Sequence, residues 1–460
     1  MLFNSLQYIL FFFAFFFILF SLPNAAKKPW LLIASCYFYM VFKPVYLLIL
    51  FIVILIDFFT GKQIENSPTH KKAWLIISLV SNLGILVFFK YYNFLNENIS
   101  VITEYFGCEN PIPILEIVLP IGLSFHTFQA MSYTIEVYRG NLKAEKNLMT
   151  YSLYVLYFPQ LVAGPIERPQ QLLPQLHKNI HVTFSNIAHG LFRISIGFFK
   201  KVVIADRLAL FVDPVYDNLS GHSGLSVLIA TFFFAFEIYC DFSGYTDIAL
   251  GTSQIMGITL MENFRNPYTA SSLREFWNRW HISLSSWFRD YVYIPLGGNR
   301  TKSVRWIINL LIVFFLSGLW HGARWNFVAW GIIHGSLLII ERLIQKNTKI
   351  KLFPFLSGMI VFICTCFAWI FFRAKGIEDA FLAVQKICQM SFEENITRVF
   401  NTSELIFAFL LIFLLIFSET FIKRTIFRNH MLLILISCLF ILLSYLFGEF
   451  YFKEFIYFQF

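Results

Sequence analysis

Charged residues are scarce in this chain. Only 14% of its 460 residues are charged, whereas 58% are hydrophobic. A soluble globular protein carries about 25% charged residues, so this composition excludes a soluble enzyme. Apolar stretches long enough to cross a bilayer, about 20 residues each, recur along the whole sequence. Among the spans predicted in this way are 112–136, 147–163, 224–241 and 244–260. The sequence therefore predicts an all-α, multi-pass membrane protein.

Common cysteine and glycine motifs are also missing. The seven cysteines are scattered, and they show neither the spacing of a metal site nor that of a disulfide framework. No glycine-rich loop of the kind that cradles phosphates is present. We therefore expect no bound metal ion and no resident cofactor.

Basic residues outnumber acidic ones, 36 to 27, which gives a net charge of +9. In a membrane protein such an excess is typical of cytoplasmic loops rather than of nucleic-acid binding. Basic loops at 27–28 and 62–72 alternate with a loop at 93–111 whose only charges are acidic. This alternation predicts an N terminus outside the cell and no nucleic-acid partner.

The stretch 263–322 is the one long polar region of the sequence, and it contains His281 and His321. Its acidic residues are Glu275 and Asp290. Its basic residues are Arg265, Arg274, Arg279, Arg289, Arg300, Lys302 and Arg305. Because such a polar segment is costly to keep next to a membrane, we predict that it forms a site.

The two histidines have different surroundings. His321 lies in SGLWHG, where small residues let backbone or ligand approach closely, and a neutral imidazole there could accept a proton from a hydroxyl. His281 lies beside Trp280 and among arginines, whose charge would favour the neutral imidazole. From spacing alone, packing in the core remains the more frequent role for such a pair.

Three carboxylates, Glu237, Asp241 and Asp247, lie in the largely apolar run FEIYCDFSGYTDIALG. Intramembrane carboxylates usually face the bundle interior, where they pair or line a cavity. Nothing in their spacing requires a catalytic dyad. A structural network with Tyr239, Tyr245 or an arginine of the central region is therefore favoured over direct catalysis.

Several motifs resemble those of the membrane-bound O-acyltransferase family. The run REFWNRWHISLSSWFRDYVYIPLGGNR, followed by LSGLWHG, is similar to the family pattern. The runs DFSGYTDIA, LPIGLSFHTFQAMSY and FPQLVAGPIERP are similar to its bacterial polysaccharide branch, the membrane subunits of alginate and peptidoglycan O-acetylation. The resemblance extends over about residues 1–373 and continues weakly to the end.

The resemblance implies a fold of roughly 11–13 helices with re-entrant segments around a central tunnel. It implies one domain over 1–460, made of N-terminal helices (1–150), a catalytic core (151–345) and C-terminal helices (346–460) that end in the FIYFQF tail. It makes His321 the base and His281 the residue that orients or polarises. Residues expected to hold the donor or shape the tunnel are Arg274, Trp277, Arg279, Trp280, Trp320 and Asp241.

By the same resemblance, the protein transfers an acetyl group from a cytoplasmic thioester, with acetyl-CoA as the expected donor, for O-acetylation of a cell-wall or exported polysaccharide. A periplasmic or extracellular SGNH-type O-acetyltransferase would complete the transfer, and the location would be the bacterial inner membrane. One alternative is D-alanyl transfer from a carrier protein. Another is a proton-coupled transporter, although the sequence shows no internal repeat typical of that class.

The end of the chain, FKEFIYFQF, resembles the C-terminal motif of the small accessory protein of teichoic acid D-alanylation. Tyr457 carries the one hydroxyl group in this aromatic tail. A phenol ester is a good acyl donor, so Tyr457 is a candidate acyl relay. The alternative is an aromatic anchor at the membrane interface.

Overall fold

A computed structural model describes residues 1–162, 164–347, 353–389, 401–421, 429–450 and 455–456. Of these residues, 78% are helical and none lies in a strand. Eight helices in this part of the chain are long and apolar enough to cross a membrane. The prediction of an all-α, multi-pass membrane protein is therefore confirmed.

The helices follow one another along the whole chain. They are α1 (Leu6–Ser21), α2 (Asn24–Met40), α3 (Val45–Asn66), α4 (Lys71–Leu86), α5 (Tyr92–Tyr105), α6 (Leu123–Arg139), α7 (Leu148–Leu156), α8 (Phe158–Leu161), α9 (Pro169–His177), α10 (Phe184–Phe198), α11 (Asp206–Asp217), α12 (Gly224–Ile255), α13 (Leu273–Arg279), α14 (Ile282–Phe288), α15 (Ser303–His321), α16 (Trp325–Asn347), α17 (Pro354–Arg373), α18 (Ile377–Gln389), α19 (Thr402–Phe421) and α20 (His430–Phe447). Turns of π-helix at Val87–Tyr91 and Phe199–Ala205 connect α4 to α5 and α10 to α11.

Several apolar stretches are interrupted by breaks in the helix. The described residues therefore contain fewer long membrane-crossing helices than the 11–13 helices expected. Residues 112–120 are not helical, so the apolar run there contributes only from α6 onward. The run 147–163 is broken at Tyr157, between α7 and α8. Conversely, 224–255 forms one helix of 32 residues, α12, where two separate spans were expected.

The chain divides into two compact units. The first comprises Met1–Gly190 with Thr252–Met261, and the second comprises Leu191–Gly251 with Glu262–Phe460. In the first unit, the buried carboxylate of Asp57 on α3 accepts hydrogen bonds from Ser78 (2.6 Å) and Asn82 (3.0 and 2.9 Å) on α4. A buried carboxylate needs such donors, so this cluster joins the two helices.

In the second unit, glycines allow α15 and α16 to pack backbone against backbone. A methyl group on Gly331 would lie 2.1 Å from the carbonyl oxygen of Phe314, and one on Gly318 would lie 2.3 Å from that of Phe327. Both distances are far below van der Waals contact, so no larger residue fits. This close packing sets the position of His321, the last residue of α15.

A short helix, α13, precedes the other histidine, and its start is capped by side chains. The Ser272 hydroxyl accepts a hydrogen bond from the backbone N–H of Glu275 (3.0 Å), while the Glu275 carboxylate accepts one from the N–H of Ser271 (2.7 Å). This reciprocal arrangement satisfies backbone donors at the helix start. It fixes where the seven-residue helix begins and therefore where His281 follows it.

Candidate active site

His281 occupies a sharp reversal of the chain between α13 and α14. Its backbone has φ 44° and ψ 52°, a left-handed conformation that residues other than glycine adopt rarely. The side chain is only 1% exposed. Such backbone strain persists only where the surroundings hold it, and it concentrates at functional sites.

Asn263 holds the His281 ring and determines which ring nitrogen carries the proton. Asn263 Oδ1 lies 3.1 Å from His281 Nδ1 and accepts hydrogen bonds from the Ser283 backbone N–H (3.2 Å) and hydroxyl (2.9 Å). Because a backbone N–H can only donate, the shared atom must be the amide oxygen. His281 Nδ1 must then carry a hydrogen, and the neutral ring has its lone pair on Nε2.

Burial keeps the His281 imidazole neutral. His281 lies outside the eight helices that are long enough to cross a membrane. Its burial lowers the pKa of the imidazole from 6.5 to about 3. The expectation that neighbouring arginines would cause this was wrong. Arg274 is exposed, and the guanidinium of Arg279 is bound to Glu275 (2.5 Å) and Thr269 (2.8 Å).

His321, the last residue of α15, lies close to His281, which is in the turn between α13 and α14. The ring centroids are 6.4 Å apart, with the planes inclined at 61°. His321 is 4% exposed, and its ring contacts Trp320 (5.0 Å), Trp330 (4.9 Å) and Phe372 (5.3 Å) between centroids. Trp320 also lies 5.9 Å from His281. The two imidazoles therefore share one buried aromatic pocket.

Of the predicted tryptophans, Trp320 contacts both histidines, and Trp277 and Trp280 belong to the surrounding aromatic cluster. No described hydrogen bond joins a predicted arginine to either histidine. Trp280 is buried and stacks on Phe276 (5.6 Å). Trp277 packs against Trp330, with ring centroids 5.8 Å apart. The exposed Arg274 instead donates its backbone N–H to Glu341 (3.3 Å).

His334 is a third histidine close to this pocket. It is fully buried on α16, with its ring 4.9 Å from Trp277 and 5.0 Å from Trp330. Trp330 also contacts His321, so the Trp330 ring separates His334 from His321. Nothing in the sequence pattern distinguishes this histidine from an ordinary packing residue.

Asp241 forms a buried ion cluster with a lysine, Lys201. Its Oδ1 lies 2.6 Å from Lys201 Nζ, which also lies 2.8 Å from Asp206 Oδ1. Tyr245 belongs to the network as predicted, since Lys201 Nζ lies 5.6 Å from its ring centroid. Tyr239 instead donates its hydroxyl to Glu419 (2.5 Å).

Part of the C-terminal tail reaches the same region. Phe455 is 0% exposed, and its ring lies 4.5 Å from Tyr245 and 5.4 Å from Phe242. Phe242 in turn lies 4.7 Å from His281, edge to face. Tyr457, the candidate relay, lies outside the described residues.

Comparison with known proteins shows to which family this chain belongs. Residues 115–378 match the model of the membrane-bound O-acyltransferase family, a range that includes His281, His321 and Asp241. The chain belongs to this family. As a membrane-bound O-acyltransferase it is an enzyme, and the transporter alternative is set aside.

Among its relatives is the peptidoglycan O-acetyltransferase of Helicobacter pylori, 36% identical over 78% of this chain and 74% of the relative. The probable alginate O-acetylase AlgI of Pseudomonas aeruginosa is 40% identical over 76% of this chain and 67% of the relative. The teichoic acid D-alanyltransferase of Bacillus subtilis is 31% identical over 55% of this chain and 69% of the relative. Similarity to the two O-acetylation proteins thus extends over more of this chain than similarity to the D-alanyltransferase does.

Proposed function

We propose that this protein is an inner-membrane O-acetyltransferase that takes an acetyl group from a cytoplasmic thioester, with acetyl-CoA as donor, and passes it outward for O-acetylation of an exported or cell-wall polysaccharide. The observation that carries the proposal is the pair of buried imidazoles, His281 and His321, with ring centroids 6.4 Å apart in an aromatic pocket. The names of the relatives support acetyl as the transferred group.

His321 is the general base of the proposed reaction. As the acceptor oxygen attacks the thioester carbonyl, His321 removes the hydroxyl proton. The tetrahedral intermediate then collapses, the carbon–sulfur bond breaks, and the proton passes from His321 to the departing thiolate. The products are an oxygen ester and a free thiol. An imidazole is suited to this task because its ordinary pKa lies near neutral pH, so it can accept and return one proton.

His281 orients the attacking hydroxyl. With its Nδ1 hydrogen directed at Asn263, His281 presents Nε2 as a hydrogen-bond acceptor. A neutral ring in this tautomer cannot donate from Nε2 to a developing oxyanion. Of the two roles expected for His281, orienting the hydroxyl is therefore favoured over polarising the carbonyl.

The hydroxyl that attacks the thioester belongs to one of two acceptors. In the first, the Tyr457 hydroxyl attacks the thioester and carries the acetyl group as a phenol ester, which an SGNH-type O-acetyltransferase outside the membrane receives. In the second, the external acceptor reacts directly. Tyr457→Phe distinguishes them, because it removes only the hydroxyl: polymer acetylation is lost at normal protein level in the first case and kept in the second.

The direct test of the proposed function is His321→Ala in the producing cells, with O-acetyl groups of the polymer measured per unit of membrane protein. We expect a loss of about 100-fold or more, since a positioned acid–base group contributes about 10²–10⁴-fold. His70→Ala is the matched control because His70 is exposed at the start of α4. Full acetylation in His321→Ala would refute the proposal.

The choice between acetyl and D-alanyl needs a separate measurement. Membranes are incubated with radioactive acetyl-CoA, or with a D-alanyl carrier protein, in the presence and absence of the external partner. Incorporation of acetyl alone is expected. Incorporation of D-alanine alone would replace the proposed acetyl group, because the D-alanyltransferase relative has the same family fold.

A further inference from the structure

We infer that Asp241 is a positioning residue that anchors this chain's own C-terminal tail as part of the wall beside His281. The inference rests on the buried ion cluster, on the packing of Phe455 and on a second attachment of the same segment. It also deepens the proposed function, since the anchored tail is the segment that leads to Tyr457.

The ion cluster has a hydrogen-bonding requirement that the tail meets. Lys201, Asp206 and Asp241 are nearly inaccessible, and one cation faces two carboxylates. A buried carboxylate is costly unless its remaining lone pairs are satisfied. The backbone N–H of Ile456 donates to Asp241 Oδ2 at 2.8 Å, across 215 residues of sequence. Such a charge-assisted bond is among the stronger contacts available to a backbone segment.

Side-chain packing places the anchored residues against the catalytic pocket. Phe455 fits between Tyr245 and Phe242, which lie on α12 near Asp241. Phe242 presents an edge to the His281 ring at 4.7 Å. A displacement of Phe455 therefore reaches His281 through Phe242.

The segment just before the tail is attached to the same junction between α10 and α11. The N–H of Glu449 donates to the carbonyl of Val202 (2.8 Å), and Arg207 donates to the carbonyl of Phe447 (2.9 Å). Val202 follows Lys201 in sequence, and Arg207 follows Asp206. One junction therefore holds both the end of α20 and, through Asp241, residue 456.

The anchor restricts where the remaining tail can go. A residue extends the chain by at most about 3.3–3.6 Å, so fixing the N–H of Ile456 limits the reach of whatever follows it. Under the proposed function, the anchor fixes the residue that precedes Tyr457. A misplacement of about 1 Å at a reacting group can lower a rate about 100-fold.

The anchor is tested first by digestion with a carboxypeptidase that also releases proline, followed by intact-protein mass spectrometry. Ile456→Pro removes the donated N–H and leaves the ion cluster unchanged, while Asp241→Asn alters the acceptor from the other side. In wild-type protein, trimming should stop at the anchored pair. In both variants it should proceed beyond residue 455. Ile456→Val keeps the N–H and should restore the wild-type stop. Wild-type trimming in Ile456→Pro would overturn the inference.

Its catalytic consequence is tested by acetyl transfer from labelled acetyl-CoA in vesicles. We expect Ile456→Pro to lower kcat by about 10–100-fold with an unchanged KM for acetyl-CoA, and Ile456→Val to restore kcat. Loss of the stop at full kcat would overturn the positioning role.

The variant His321→Ala separates this inference from the proposed function. It should lose transfer while its tail stays protected. Active His321→Ala protein would refute the proposed function and leave the trimming test of the anchor in force.

Discussion

Replacing Asn263 by alanine should disable the active site without touching either histidine. Asn263 Oδ1 receives hydrogen bonds from His281 and from the N–H and hydroxyl of Ser283. The hydroxyl can rotate toward another acceptor, but His281 Nδ1–H and the Ser283 N–H cannot. Each donor left buried costs about 1–3 kcal/mol, so Asn263→Ala should destabilise the protein by about 2–6 kcal/mol.

The expected effect on activity is larger than the loss of folded protein explains. Without the amide oxygen, the proton of His281 is no longer held on Nδ1, and Nε2 is no longer reserved as an acceptor. We expect kcat per folded molecule to fall about 10–100-fold, within the range that acid–base positioning contributes.

The assay for this prediction is acetyl transfer by purified protein, normalised to the monodisperse fraction on size-exclusion chromatography. Asn263→Asp is the matched control, since it is nearly isosteric and keeps an oxygen acceptor for all three donors. The reasoning is refuted if Asn263→Ala matches wild-type kcat, or if Asn263→Asp is as inactive as the alanine variant.

Three further predictions follow from the same geometry. Burial lowers the pKa of His281 from 6.5 to about 3. Between these two pH values the unfolded state binds more protons than the folded state, so the free energy of unfolding falls as the pH drops below 6.5. The loss attributable to His281 at pH 5.5 is about 1.4 kcal/mol, measurable as the difference in thermal stability between wild type and His281→Gln at pH 7.5 and 5.5; equal pH dependence in both would contradict it. Gly331→Ala should cost about 1–3 kcal/mol and reduce activity, because its methyl group would lie 2.1 Å from the Phe314 carbonyl. Gly84→Ala, with nothing within 4 Å, should not destabilise, and a tolerated Gly331→Ala would show that α15 and α16 separate easily. If the exposed Arg274 binds donor phosphates, Arg274→Gln should raise the KM for acetyl-CoA about 2–5-fold, as expected for an exposed ion contact, and an unchanged KM would remove Arg274 from the donor site.

The sequence motifs were sufficient to predict a helical membrane protein and to select the two histidines that the structure brings together. The reason is local: His281 lies in a run rich in tryptophan and arginine, and His321 lies beside Trp320 between Gly318 and Gly322. The partner of His281 was not predictable in this way. Asn263 lies 18 residues earlier, and its role depends on a left-handed turn at His281 that no residue type there signals.

The course of α12 shows a second limit of sequence reasoning. The sequence predicts two apolar spans here, 224–241 and 244–260, whereas the structure has one helix. The helix continues because Lys201 neutralises Asp241 and because Gly244 lets the backbone of Gly197 approach. A methyl group on Gly244 would lie 2.7 Å from the Gly197 carbonyl oxygen. Both compensations come from α10 and the junction after it, which a reading of α12 alone does not include.

The most direct test of the central claim is the rate of acetyl transfer across the bilayer in sealed proteoliposomes. Labelled acetyl-CoA is supplied on one side, the external partner and polymer on the other, and wild type is compared with His321→Ala at equal amounts of folded protein. The account predicts a fall of at least about 100-fold in the alanine variant. Transfer by His321→Ala within about twofold of the wild-type rate, well inside the effect of a lost base, would contradict it.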